Sequence, residues 1–71
     1  MATINFYLPS QEDVEVKIFD LLGVERSTLV HRVLDSGWYS LRISKAFLES
    51  GVYFYRIIAG KYASVEKIVI Q

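Results

Sequence analysis

Apolar residues recur at every second position in one short segment after another, and a period of two dictates β-strands. Ile4, Phe6 and Leu8 alternate with Thr3, Asn5 and Tyr7. Pro9 stops that run, and the polar stretch after it reads as a turn. Val14, Val16 and Ile18 alternate with Glu15, Lys17 and Phe19, which points the two valines at a core. Asp20 and Gly23 then bracket a four-residue turn, where glycine takes positive φ without a Cβ clash. A third strand from Val24 to Val30 is weaker, because Arg26 and Thr28 dilute its pattern. His31 to Gly37 reads as a polar connection. Tyr39, Leu41 and Ile43 alternate with Ser40, Arg42 and Ser44 as a fourth strand. Lys45 to Ser50 favours one helical turn but is too short to be stable alone. Gly51 opens a fifth strand to Ala59, and Tyr62 to Ile70 forms a sixth, rich in β-branched residues.

Six strands with turn signals at intervals of roughly 8–12 residues predict an all-β, antiparallel sandwich. No helix separates successive strands, so parallel βαβ packing is not expected. A chain of 71 residues suffices for a single domain. Its 52% hydrophobic content predicts a packed core and argues against disorder.

Chemistry is sparse. With no cysteine there is no disulfide and no thiolate metal site. The single histidine, His31, sits beside Arg32 with no nucleophile motif near it and reads as a solvated residue. Asp13, Asp20 and Asp35 all fall at turns, which aspartate caps through its own carboxylate. Glu12, Asp13 and Glu15 lack the glycine and spacing of a calcium loop. The glycines stand singly, with no phosphate-cradling cluster. Eight basic and eight acidic residues cancel, so bulk charge selects neither nucleic acid nor an anionic surface. No apolar run approaches the ~20 residues of a membrane helix, and none reads as a signal peptide. No enzyme activity and no cofactor are expected.

The fifth strand is unusual. Val52, Tyr53, Phe54, Tyr55, Ile57 and Ile58 are interrupted only by Arg56, so the strand is apolar on both faces. Tyr53, Tyr55 and Ile57 are assigned to the inner face, which leaves Val52, Phe54 and Ile58 without a role. Trp38, Phe54 and Tyr62 are candidates for an exposed aromatic patch able to stack on sugars or bases.

Six blocks now stand in order: "TINFYLP", "VEVKIFDLLG", "TLV", "SGW", "LESGVYFYRIIAGKY" and "KIVI". Together they resemble the type A C-terminal sorting domain of the type IX secretion system. Thr3, Ile4, Phe6, Leu8 and Pro9 fit the first block of that family. Ile18, Phe19, Asp20 and Gly23 fit the second, and Leu48 with Ser50 to Arg56 fit the most distinctive one. The resemblance implies a small Ig-like sandwich of six to seven strands at the C-terminus of a larger secreted protein. It implies that the outer-membrane secretion machinery of Bacteroidetes-type bacteria reads the domain. It also implies that a surface sortase commonly removes the domain and attaches the N-terminal cargo domain to the cell surface.

Three departures stand out. A Pro- and Asn-rich segment usually precedes the first block, where here only Met1 and Ala2 stand, so the chain is expected to begin inside the family boundary. After Gly23 the family favours a basic and then an apolar residue. Val24 and Arg26 occur in the opposite sense, and a bulge or register shift is expected in the third strand. The family tail often carries two consecutive basic residues and a basic terminus, whereas this one reads Glu66-Lys67 and ends in Gln71.

Lys67, Ile68, Val69, Ile70 and Gln71 are the residues expected to be read, with the fifth strand as scaffold. The competing reading is an Ig-like accessory module that binds glycan or protein, with Trp38 as its key aromatic. A homodimer that covers an open strand edge is a further candidate.

Overall fold

A computed structural model of the chain describes residues 2–43 and 48–71. Six strands follow one another: β1 (Ala2–Leu8), β2 (Glu12–Phe19), β3 (Glu25–Leu34), β4 (Gly37–Ile43), β5 (Gly51–Ala59) and β6 (Tyr62–Ile70). They form two antiparallel sheets, β1-β4 and β3-β2-β5-β6. No helix occurs among the described residues. This is the expected small Ig-like sandwich, with six strands.

The core lies where the inward side chains of the two sheets meet. Ile4 and Leu8 of β1 and Ile43 of β4 cluster with Val14, Val16 and Ile18 of β2, and with Tyr53 and Ile57 of β5 and Ile68 and Ile70 of β6. Val14, Val16 and Ile18 are wholly buried because β2 is central in its sheet and faces the other layer. The expected inner face of β5 is the observed one: Tyr53 and Ile57 are buried and Tyr55 packs partly against the core. Inside the two-stranded sheet, the Phe6 and Tyr39 rings stack with centroids 5.3 Å apart.

The third strand departs from the sequence expectation in length and agrees in irregularity. It runs on to Leu34, so His31 to Leu34 belong to β3 and not to a connection. Pairing overrides the weak local pattern here. His31 lies opposite Glu15, Val33 opposite Asp13 and Leu34 opposite Glu12, and Leu34 is buried at the end of the core. Two register shifts interrupt the β2–β3 ladder. Val16 pairs with Val30 but Lys17 with Thr28, and Ile18 pairs with Ser27 but Phe19 with Glu25. Leu29 and Arg26 are therefore the extra residues of two bulges. The fourth strand starts at Gly37, which puts Trp38 in a strand as well. Of the segment expected to make a helical turn, residues 45–47 lie outside the described residues. Leu48 is buried, and the Tyr53 hydroxyl donates to the Glu49 carbonyl at 2.8 Å.

Two turns follow from their chemistry. Gly60 has φ +59 and Lys61 has negative φ, as a two-residue type II′ hairpin between Ala59 and Tyr62 requires. At the other end, Gly23 has φ +83 and its N–H donates to the Asp20 carbonyl at 3.0 Å. The Asp20 carboxylate accepts from the backbone N–H groups of Leu22 (2.9 Å) and Val24 (3.0 Å) and meets Arg26 at 3.4 Å. These contacts favour the anion, and the hydrogen bond from Val24 is the largest cause of a pKa held below the ordinary carboxylate value. The stabilisation is fully present above the unfolded pKa and fades as pH falls through the lower folded one. The melting temperature is therefore expected to drop on acidification below about pH 4. Asp20→Asn should flatten part of that slope, as thermal melts at pH 3 and pH 6 would read.

Candidate functional site

The C-terminal strand divides its side chains between two environments. Ile68 and Ile70 point inward and are 8% and 1% exposed. Lys67 and Val69 point outward and are exposed, as is Gln71 beyond the strand. Alternation makes this unavoidable once Ile68 sits opposite Tyr53, because neighbouring residues of a strand face opposite ways. Of the five residues expected to be read, two are thus core residues of the folded domain.

The three candidate aromatics do not share a face. Trp38 is 77% exposed on the outer side of the two-stranded sheet, beside Tyr7 with ring centroids 5.0 Å apart. Tyr62 is exposed at the mouth of a groove of about 1080 Å³ between the sheets, with Phe6, Leu8, Tyr55, Ile57 and Glu66 among its lining residues. The groove runs between β1 and β6, each of which is at the edge of its sheet. Burial in this wall, and then the charge of Glu66, push the Tyr55 hydroxyl above its usual pKa.

Phe54 lies on the outer face of the four-stranded sheet and is half-buried. It stands between Phe19 on one side and Lys67 on the other. A shallow pocket there is lined by Phe19, Leu21, Phe54, Arg56 and Val65. The Arg56 guanidinium lies 5.0 Å from the Phe19 ring centroid, a cation–π contact. Among the described residues no further strand packs over this face. The role left open by the two-faced apolarity of β5 is therefore partly lateral: Phe54 packs beside its neighbours and keeps its outer side free.

The same face carries a cluster of paired charges from β2, β3 and β5. Glu15 meets Arg56 at 3.3 Å, Lys17 at 3.7 Å and His31 at 3.8 Å. Lys17 also meets Glu25 at 3.0 Å. That hydrogen bond is the main reason the Lys17 pKa is raised and the Glu25 pKa lowered. The Arg56–Glu15 and Lys17–Glu25 contacts are ion pairs across neighbouring strands, and Lys17–Glu15 lies within β2. His31 lies in a strand, opposite the Glu15 carboxylate, where sequence alone suggested a loop. Among the described residues no three His, Cys, Asp or Glu side chains are grouped to hold a metal. No helix of the described residues is long and apolar enough to cross a membrane.

The exposed apolar residues to which sequence reasoning gave no site role are Val52, Val65 and, around the Asp20–Gly23 turn, Leu21, Leu22 and Val24. The signal for Val65 was available: it falls on the same alternation as Lys67 and Val69, opposite to Ile68 and Ile70. The turn residues carried none, because a turn has no period from which to assign a face.

Fold and surface together define a small Ig-like sandwich domain whose exposed features are sheet faces, a groove and paired charges. The chain belongs to the secretion system C-terminal sorting domain family, which matches residues 1–71, its whole length. It is a sorting signal of type IX secretion, which directs attached cargo across the outer membrane to the cell surface or the extracellular space. The family is one of sorting signals and not of enzymes, and its members work attached to an N-terminal cargo and with the secretion machinery. No curated protein and no solved structure gives a significant match to the chain.

Proposed function

We propose that this single domain is the C-terminal module of a larger secreted protein, that it carries an address without catalysing a reaction, and that its C-terminal strand is the part that is read. After export, a surface sortase separates the domain from its cargo and attaches the cargo to the cell surface. The observation that supports this reading most is the family match over the entire chain. Of the five residues expected to be read, those that a partner can touch are Lys67, Val69 and Gln71.

Fusion of residues 1–71 to a passive periplasmic cargo in a type IX host tests the proposal. The cargo is expected to appear at the cell surface or in the medium, and to stay periplasmic without the domain. Retention of the fusion, under conditions where another sorting domain of the family exports the same cargo, would sink the reading for this chain. Mass analysis of the exported cargo reports on the sortase step, since cleavage removes the domain's mass.

A further inference from the structure

The geometry points to the outer face of β5 and β6 as the docking surface for the export machinery. The partner it fits is a protein surface that sets an apolar ridge along the two strands and a carboxylate against Lys67. This inference rests on the sorting reading and names the surface through which it acts.

If β6 is read while the domain is folded, Ile68 and Ile70 are not accessible, because both lie in the core. What remains of that segment points outward and continues onto β5. Lys67 lies opposite Phe54, Val69 opposite Val52, and Val65 opposite Arg56. These six side chains form one contiguous face, two strands wide and three residues long. Val52, Val65 and Val69 are exposed there, and Phe54 floors the shallow pocket beside Val65. Apolar exposure of this kind, gathered around an aromatic and an arginine, has the composition of an interface centre.

Charge selects the partner. The outward residues of β5 and β6 are Val52, Phe54, Arg56, Ile58, Ala63, Val65, Lys67 and Val69, which include two cations and no carboxylate. Arg56 is engaged by Glu15 of β2. Lys67 makes no ion pair among the described residues, so it is the cation available to a partner's carboxylate. The outer face of the other sheet also carries a cation, Arg42, and the exposed Trp38 and Tyr7, but the polar Asn5–Ser40 pair separates those aromatics from Arg42, so apolar and charged side chains do not adjoin as they do around Lys67.

The experiment is the export assay with the full domain fused to the same cargo, using Val65→Glu, Lys67→Glu and Lys67→Arg. Ser40→Glu on the opposite sheet is the control, and thermal melts establish that each variant is folded. Val65→Glu and Lys67→Glu are expected to lower the exported fraction by about tenfold or more, the loss typical of a central interface residue. Lys67→Arg and Ser40→Glu should export like the parent. If Val65→Glu fails to fold, the two Lys67 variants carry the test, since an exposed lysine tolerates exchange. Folded Lys67→Glu and Val65→Glu proteins that export normally would overturn the inference while leaving the sorting reading intact. A parent domain that does not export its cargo would remove both. Sedimentation of the isolated domain supplies the last arm: a parent dimer that Val65→Glu converts to monomer would mean that a second copy covers this face, and the inference would fall.

Discussion

Ile68→Asp is expected to unfold much of the domain, whereas Val69→Asp, one residue further on, should leave it intact. Ile68 is 8% exposed and stands opposite the buried Tyr53. A carboxylate there has no partner, and an uncompensated buried charge costs roughly 3–5 kcal/mol. A domain of this length has only ~4–10 kcal/mol to lose, from the usual stability per residue. Val69 is 44% exposed on the opposite side of the same strand. Exchange at such a position changes stability by about 0.5 kcal/mol or less. Chemical denaturation with a β-sheet probe separates the two: the midpoint should collapse for the first variant and hold for the second. Export then becomes interpretable, because a loss of sorting in Ile68→Asp reports folding and a loss in a folded Val69 variant reports recognition. Equal midpoints for the two variants would contradict the inward orientation of Ile68.

Ile4→Ala should cost about 2–5 kcal/mol, the range for a buried isoleucine truncated where neighbours cannot fully collapse. Ile4 is 1% exposed and belongs to the two-stranded sheet. A pair of strands is marginal in water without a partner surface. The β1-β4 sheet therefore depends on Ile4, Leu8 and Ile43 pressing against the larger sheet. Hydrogen exchange gives the sharper reading. In Ile4→Ala, amides of β1 and β4 should lose protection before those of β2 and β5, which are paired on both sides. Uniform loss of protection across both sheets would show instead that they open as one unit.

The outer face of β5 and β6 changes how the tail departs from its family. The missing second basic residue of the tail is Glu66, which sits on the inward alternation, opposite Tyr55 at the groove. Lys67, on the outward alternation, is retained. The loss at Glu66 leaves the proposed docking face unchanged and bears on the groove, whereas Gln71, which stands where the family often has a basic terminus, lies two residues beyond Val69 of that face.

Strand identity, turn positions and the inward set of β2 were legible in the sequence because each rests on local chemistry. Alternation over a few residues names a strand and its two sides, and a lone glycine at a reversal names a turn that needs positive φ. The irregularity of the third strand was anticipated through the family resemblance, since Val24 and Arg26 reverse the order that the family favours after Gly23. The extension of β3 through His31 to Leu34 was not. Those residues become strand because β2 supplies pairing partners distant in sequence, and pairing outweighs a weak local pattern. Nor could alternation say which apolar side of β5 is covered. Both sides look alike in sequence, and only the position of the β1-β4 sheet over Tyr53 and Ile57 distinguishes them. The same long-range packing sends Ile68 and Ile70 into the core and leaves Lys67 and Val69 outside. A five-residue candidate signal is reduced to its outward members because burial is a property of two sheets meeting, which no single strand encodes.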